Sequence, residues 1–209
     1  SHFIQKLEDQ PSIEHASFIP VYDQIRDKDE EKLEAWIEGK TGVHFIDACM
    51  IYLRNHGWIN FRMRAMLASF ASYNLWLDWR YFAPRLAALF TDFEPGIHYS
   101  QIQMQSGTTG INTIRMYNPY KQAMDQDPLG KFIKSQIPEV KNFPPAFFHN
   151  QPKKSSNVNL FDNEVQKEII NVKETAQYAR KKIFDIRKSQ EHKILAKNVY
   201  LKHGSRGRS

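Results

Sequence analysis

The stretch that most constrains the fold is GWINFRMRAMLASFASYNLWLDWR, residues 57–80, which contains no glycine or proline after its first residue. Its apolar residues recur at helical spacing and therefore predict a helix; they include Met63, Met66, Leu67, Phe70 and Leu75. The same stretch holds three of the four tryptophans and three arginines. Tryptophan and arginine carry N–H groups that need hydrogen-bond partners when they are buried, whereas Leu, Ile and Ala do not. The composition therefore indicates a helix that also contributes to a functional site.

Helical patterns dominate the rest of the chain as well. Helices are predicted within 25–39, 41–57 and 130–137, and within 83–90, where Pro84 would fall in the first turn. A further helical pattern runs from Asn163 to about Lys202, before a Gly/Ser/Arg tail that we expect to be flexible. No segment shows a convincing strand pattern, and we find no internal repeat. The predicted fold is all-α, with several helices and long ordered loops.

The segment 91–128 differs in composition from the rest of the chain, because it is rich in Gly, Gln, Asn and Thr and has little hydrophobic periodicity. We predict a long loop here, and structureless segments of this length inside a compact domain are usually functional. Asp92 and Glu94 lie at its start with one residue between them, so both carboxylates can point into one pocket.

Charge and cysteine content narrow the class of protein. Residues 171–209 contain 11 Lys/Arg and 3 Asp/Glu, whereas the remainder contains 18 and 20, so the formal charge of +6 comes from the C-terminal part. A single cysteine, Cys49, excludes an internal disulfide and metal sites that need several thiolates. With no long apolar run and no signal peptide, we expect a soluble, cytoplasmic protein without membrane or metal partners.

Two parts of the chain, residues 38–80 and 92–140, together resemble the C-terminal FAD-binding domain of the photolyase/cryptochrome family. The matching residues, with their spacing largely kept, include Gly42, Asp47, Ala48, Met50, Gly57, Trp58, Arg62, Arg64, Ala68, Ser69, Phe70, Asp78, Trp79, Arg80, Asp92, Gly107, Arg115, Asn118, Pro119, Asp127, Pro128 and Pro138. The resemblance implies that 1–150 is the C-terminal part of such a domain, and that 151–209 is a loop, a basic helix and a flexible tail. The family's antenna domain, and the part that contacts the flavin diphosphate, have no counterpart in this sequence.

FAD is the cofactor that the resemblance implies. The candidate cofactor-binding residues are Arg64, Asp92, Glu94, Trp58, Phe61 and His98. Arg64 matches an arginine beside the isoalloxazine ring and its acidic partner, where a cation can stabilise negative charge on a reduced flavin. His98 aligns with an asparagine that faces flavin N5, and it either donates to that atom or caps the loop. For Arg64 the alternative is an ion pair that ties a helix to a loop.

DNA containing pyrimidine dimers is the partner that the resemblance implies. Arg62 and Arg115 match arginines that contact phosphates around the flipped dimer, a task that suits the permanently charged guanidinium. The alternative for both is an exposed charge that serves solubility. Lysines and arginines of the C-terminal helix can add electrostatic affinity.

Electron transfer is the role that the resemblance implies for Trp79, which matches the middle one of three tryptophans that reduce the flavin. The distal position falls near Arg26 and the proximal one falls within 100–102, so the usual route is interrupted. Trp76 or Tyr99 can provide another route. The alternative for Trp76 and Trp79 is packing in the core.

The resemblance implies that the intact protein holds FAD and uses blue light to repair pyrimidine dimers, as a photolyase-like carbon–carbon lyase. Phe61 and Ala65 occupy positions where photolyases have an Asn and a Met facing the lesion, so the sequence departs from the family at the substrate. Two alternatives remain open. One is a cryptochrome-like photoreceptor without repair activity, and the other is a flavin-free helical module that binds nucleic acid. We expect the chain alone to bind FAD weakly or not at all.

Overall fold

A computed structural model describes residues 8, 11–110, 113–152 and 165–203 of the chain. The α-helices in these ranges are α1 (Glu30–Glu38), α2 (His44–His56), α3 (Phe61–Ser69), α4 (Trp79–Ala87), α5 (Pro95–Ser106), α6 (Pro119–Gln126), α7 (Lys131–Gln136), α8 (Ala146–His149), α9 (Val172–Lys188) and α10 (Gln190–His203). No strand occurs among these residues, and the only β-type pairing in them is an isolated bridge between Asp27 and Leu77. The all-α prediction is confirmed.

The α1–α2 corner is built around a buried carboxylate. Asp47 accepts hydrogen bonds from the Thr41 amide (2.9 Å), the Thr41 hydroxyl (2.6 Å) and the Gly42 amide (2.8 Å). Gly39 follows the last residue of α1 and Gly57 follows the last residue of α2, and both have the left-handed backbone that commonly ends a helix. The corner fixes α2 in the main core, where most of its apolar residues are buried.

The stretch 57–80 does not form one helix, and that prediction is wrong. Its helix α3 continues as a π-helical turn, Phe70–Asn74, and then stops. Trp76 has a left-handed backbone (φ 59°), which is unusual for a residue with a Cβ atom. Its indole nitrogen donates to the carbonyl of Ile25 (2.8 Å), and the Arg26 guanidinium lies 5.0 Å from the ring centroid. These tertiary contacts break a segment that local propensity alone would keep helical.

The next helix, α4, begins four residues earlier than its sequence pattern suggests. Asp78 caps its N-terminus by accepting from the Arg80 amide (2.9 Å), so Trp79 becomes the first helical residue. Pro84 therefore lies inside the helix instead of in its first turn, and it faces solvent. The buried face of α4 includes Trp79 and Phe82, which pack in the main core.

The segment 91–128 contains the helices α5 and α6, so its prediction as a long loop is wrong. Glu94 caps α5, Pro95 opens it, and α5 runs for 12 residues. Its buried residues are mostly polar, and Gln103 accepts from the Phe18 amide (2.9 Å) and donates to the Ile13 carbonyl (2.8 Å). Glutamines that satisfy a neighbouring backbone leave no apolar periodicity, which explains why the sequence pattern misses this helix.

The basic C-terminal helical segment consists of two helices. Ser189 has an extended backbone (ψ 147°) that separates α9 from α10, and Asn171 caps α9 at its amino end. Beneath α9 lies a second, smaller core, which contains Ile19, Tyr22, Tyr73, Trp76, Ala179 and Ile183. The predicted loop at 153–164 and the predicted flexible tail at 204–209 lie outside the described residues.

In the described ranges, no helix combines the length and the apolarity that a membrane span requires. Nor do these ranges contain a group of three or more His, Cys, Asp or Glu side chains placed to hold a metal ion. Cys49 is fully buried in α2, and burial raises the pKa of its thiol, so it behaves as a small core residue.

Candidate functional site

A cavity of about 310 Å³ opens between α3, the end of α4, the connection that follows it, and α5. All six candidate cofactor-binding residues line it: Trp58, Phe61, Arg64, Asp92, Glu94 and His98. α3 contributes one helical face through Phe61, Arg64, Ala65 and Ala68, whereas α5 contributes Ile97, Gln101 and Gln105 at intervals of four residues. Residues that are far apart in sequence are thus gathered in one concave site.

Arg64 is held on three sides at the wall of this cavity. Its Nη2 atom lies 2.7 Å and 3.0 Å from the two carboxylate oxygens of Asp92. Its Nε atom donates to the carbonyl of Ile59 (2.8 Å), and its Cζ lies 4.1 Å from the centroid of the Phe90 ring. The ion pair ties α3 to the segment before α5, and the same contacts fix a positive charge beside the cavity.

The two acidic residues have different partners. Asp92 pairs with Arg64, and about half of its side chain faces solvent. Glu94 caps α5, because its two oxygens accept from the amides of Gly96 (3.1 Å) and Ile97 (2.6 Å). Glu94 therefore sets where α5 begins, and through α5 it positions one wall of the cavity.

His98 lies against both α4 and the cavity. Its Nε2 atom is 2.9 Å from the carbonyl of Ala83, which can only accept, so Nε2 carries the proton and Nδ1 is the acceptor. Burial lowers the pKa of His98 and so favours the neutral ring; the hydrogen bond to Ala83 opposes this effect, and the Arg64 charge adds a smaller one in the same direction as burial. The Nε2–H group of His98 is therefore engaged by the Ala83 carbonyl. This contact is a structural role, which is one of the two roles that the sequence leaves open; the other is donation to a flavin.

The mouth of the cavity is aromatic and exposed. Trp58 and Phe61 are 52% and 60% exposed, and Phe93 and Ile97 are exposed beside them. Large apolar side chains in such a patch are typical of a binding surface. Phe93, Ile97, Gln101 and Gln105 are cavity residues that the sequence does not identify, because it predicts a loop where α5 lies. Their spacing of about four residues is the signal that could have found them.

Trp79 does not line the cavity. It is buried in the main core, and its indole nitrogen donates to the Ser17 hydroxyl (2.8 Å). Its ring centroid lies 6.4 Å from that of Tyr99, whose ring in turn lies 5.3 Å from that of His98 at the cavity wall. Trp76 belongs instead to the second core, against Tyr178.

Arg62 and Arg115 are exposed and lie outside the cavity. Arg62 is on α3, and Arg115 is in the segment 113–118 between α5 and α6. The Ser69 hydroxyl, at the end of α3, lies 3.4 Å from the Arg115 carbonyl and 3.4 Å from the Tyr117 amide. Arg115 lines a second, wider depression, which it shares with α9.

Comparison with known proteins agrees with this architecture. Residues 1–197 match the family model described as the FAD binding domain of DNA photolyase. The chain is 36% identical over 125 residues to a deoxyribodipyrimidine photo-lyase of Vibrio cholerae, covering 58% of this chain and 26% of that protein. It is 33% identical over 146 residues to cryptochrome-2 of Arabidopsis thaliana, covering 68% of this chain and 23% of that protein.

A solved structure with a similar fold is that of an archaeal photolyase from Sulfolobus tokodaii, crystallised with two FAD molecules. It superposes with a TM-score of 0.78 at 30% identity, over 88% of this chain and 42% of that one. The chain spans less than a third of the length of the Vibrio cholerae photo-lyase and of the Arabidopsis thaliana cryptochrome-2. From the family match over nearly its whole length, the chain belongs to the family of the FAD-binding domain of DNA photolyase.

Proposed function

We propose that this chain forms the flavin-ring side of an FAD site in a protein that uses blue light to repair pyrimidine dimers in DNA. In this proposal, residues 1–150 are the C-terminal part of the FAD-binding domain and 151–209 form a basic C-terminal extension. The observation that carries it is the gathering of all six candidate residues around one cavity, with Arg64 fixed at its wall.

The lining of the cavity fits a flavin ring. The Gln101 side-chain oxygen is buried without a hydrogen-bond partner among the described residues, so it is available to accept from an imide N–H or a ribityl hydroxyl. Apolar side chains such as Ile102 and Leu86 supply flat contacts. A volume of about 310 Å³ is at the small end for cofactor sites, which favours one ring system over a whole dinucleotide.

Each residue of the site then has a defined task. FAD, when bound, supplies light absorption and the transferred electron. Arg64 places a fixed cation where negative charge develops on the ring, and Asp92 holds that cation in position. Tyr99 and His98 provide ring contacts between the cavity and Trp79, so we propose Trp79 as an electron donor that acts through Tyr99.

DNA contacts would form around the mouth of the cavity. Trp58 and Phe61 offer exposed rings to a base that has left its stack, and Arg62 and Arg115 offer guanidinium groups to phosphates. One observation favours a second candidate, a cryptochrome-like photoreceptor without repair activity. The exposed Phe61 and the small Ala65 stand at the positions that face the lesion in photolyases, so polar contacts to a dimer are missing there.

The test begins with absorption spectra of the intact protein and of this chain after incubation with FAD. We expect an oxidised flavin band from the intact protein and weak or no retention by the chain alone. If the intact protein shows no flavin, the proposal and the photoreceptor alternative both fail. If flavin is present, blue light under reducing conditions should remove the lesion from a pyrimidine-dimer oligonucleotide, whereas an unchanged lesion would favour the photoreceptor.

A further inference from the structure

The depression beside Arg115 is the second notable concavity of the described surface. It measures about 750 Å³ and lies between the segment 113–118 and α9. Four of its seven lining residues are cationic, namely Arg115, Arg180, Lys181 and Arg187, and none is acidic. The other three, Ile114, Met116 and Phe184, are apolar, so the depression combines positive charge with a hydrophobic surface. We call it the α9 groove.

Phe184 is the unusual residue of this groove. Its side chain is 57% exposed, although α9 also has a buried face. An exposed helix position usually carries a polar residue, so an aromatic ring there is unusual. The Lys188 ammonium lies 4.2 Å from the ring centroid, and more than half of the side chain still remains accessible. An accessible aromatic ring among cations is the arrangement that stacks nucleobases while neighbouring charges hold phosphates.

The cations of the groove come from two separate elements. Arg180 and Lys181 are exposed on α9, and Arg115 faces them from the segment 113–118. Arg187 lies beside the Tyr22 hydroxyl and lowers its pKa, against the larger effect of burial, so this guanidinium also serves the second core. The positive charges line a concave groove and not one flat helix face. The groove therefore suits a flexible polyanion that can enter it.

We propose that the α9 groove binds a single-stranded segment of nucleic acid, with one base stacked on Phe184 and the adjacent phosphates held by Arg115, Arg180 and Lys181. A single strand is required because the base faces of a duplex are hidden in its stack. The volume of the groove lies within the range that receives compact ligands, which is appropriate for a nucleotide or two. This binding needs neither flavin nor a lesion, so it goes beyond the proposed function.

The position of the groove relates it to the cavity. The segment that carries Arg115 lies against Ser69 at the end of α3, and Arg62 lies seven residues earlier on the same helix. At a rise of 1.5 Å per residue this separation is about 10 Å along the helix axis. Arg62 thus lies near one end of α3 and the segment that carries Arg115 contacts the other end, so the α9 groove lies close to the cavity.

The experiment uses the complete chain in the dark, without FAD, and a fluorescein-labelled, undamaged 15-nucleotide single strand. Fluorescence anisotropy titrations at several salt concentrations measure the dissociation constant and its salt dependence. A second probe of equal length has abasic sites throughout, so it presents phosphates without bases. The variants are Phe184→Ala and the pair Arg180→Glu/Lys181→Glu, and the matched control is Lys131→Glu/Lys141→Glu, two exposed lysines away from the groove.

We expect Phe184→Ala to weaken binding of the base-bearing strand by about tenfold, without changing the salt slope or the binding of the abasic probe. The double charge reversal should weaken both probes and reduce the salt slope, by about 0.7 for each phosphate that the groove no longer neutralises. The control variant should match the unmodified chain. Circular dichroism spectra should be superimposable for all variants.

Three results would overturn the proposal. One is equal binding of the two probes with no effect of Phe184→Ala, which would mean general attraction of a polyanion. The second is an equal loss of affinity in the control variant. The third is no binding of either probe together with binding to vesicles containing phosphatidylserine, which would assign the groove to a membrane surface. None of these results bears on flavin absorption, so failure here is distinguishable from failure of the proposed function.

Discussion

Arg64 and Asp92, 28 residues apart in sequence, join α3 to the segment before α5 by an ion pair with N–O distances of 2.7 and 3.0 Å. The pair lies at the wall of the cavity and is partly exposed on both sides. Ion pairs with such exposure contribute at most about 1 kcal/mol to the free energy of unfolding. Its main effect is therefore to orient the Arg64 guanidinium, and this effect can be measured separately from stability.

In the intact protein, Arg64→Ala should weaken FAD binding by roughly tenfold, which is the effect expected when a charge-assisted hydrogen bond is removed. Flavin fluorescence titration measures the dissociation constant, and thermal unfolding measures the accompanying change in stability. Arg54→Ala is the control, because Arg54 is exposed on α2 and does not line the cavity. An unchanged FAD affinity in Arg64→Ala would leave Arg64 with only its role of tying a helix to a loop.

Trp79→Phe should slow photoreduction of the flavin in the intact protein by tenfold or more, because it removes the indole that contacts Tyr99. Trp76→Phe is the matched control, since Trp76 lies in the second core and not on the path to the cavity. The measurement is the bleaching of the oxidised flavin band under blue light with an external reductant. Equal rates in the two variants would show that Trp79 serves only the core.

Asp47 predicts a pH dependence of stability. Burial raises the pKa of its carboxyl to about 6, despite hydrogen bonds from Thr41 and Gly42 that act in the opposite direction. Because the folded state binds the proton more tightly than the unfolded state, this group makes the free energy of unfolding fall as pH rises from about 4 to about 6. The change is on the order of 2–3 kcal/mol, at 1.36 kcal/mol per unit of pKa.

The measurement for Asp47 is urea denaturation at several pH values, compared with Asp47→Asn, which cannot titrate. The difference in unfolding free energy between the two proteins should change across this window and should be constant above pH 7. Parallel curves from pH 4 to pH 7 would contradict the raised pKa.

Gly107→Ala should destabilise the chain by about 2 kcal/mol, because Gly107 ends α5 with a left-handed backbone (φ 70°). A Cβ atom at this position would also lie 2.5 Å from the Tyr73 hydroxyl oxygen. Tyr73 is fully buried and has little room to move, so the contact adds to the strain of the backbone. Thermal unfolding of the single variant measures the total.

The two causes at Gly107 can be separated with Tyr73→Phe. The next ring atom of Tyr73 is 3.6 Å from the added Cβ, so removal of the hydroxyl relieves the contact and leaves the backbone strain. Gly107→Ala should therefore cost less stability in the Tyr73→Phe background than in the unmodified chain. Additive effects would show that the hydroxyl is not in contact.

Sequence pattern alone predicts the helical class and the ends of the first two helices, because Gly39 and Gly57 terminate helices through local backbone geometry. It fails where distant residues decide the structure. The break at Trp76 depends on Ile25 and Arg26, which lie about 50 residues away. α5 is missed because Gln103 is buried through hydrogen bonds to residues 13–18 and not through apolar contacts.

The site shows the same division. Arg64 and Asp92 are identifiable because the resemblance assigns a cation and an acidic partner to those positions, and the structure brings them together. Phe93 and Gln101 escape notice, because a spacing of about four residues gains meaning only once α5 is known to be a helix. The commitment of the His98 N–H to Ala83 likewise depends on how α4 packs against α5, which no local pattern contains.

The segment 11–18 is held from two directions: the Trp79 indole donates to Ser17, and the Gln103 amide binds the backbone of Ile13 and Phe18. Trp79 lies on α4, which contributes Leu86 to the cavity, and Gln103 lies on α5, which contributes Gln101 and Gln105. We therefore expect ligand binding in the cavity to increase the protease resistance of this N-terminal segment, because α4 and α5 contact both. The rate of limited proteolysis near Ser17 would then show whether a ligand is bound between α4 and α5.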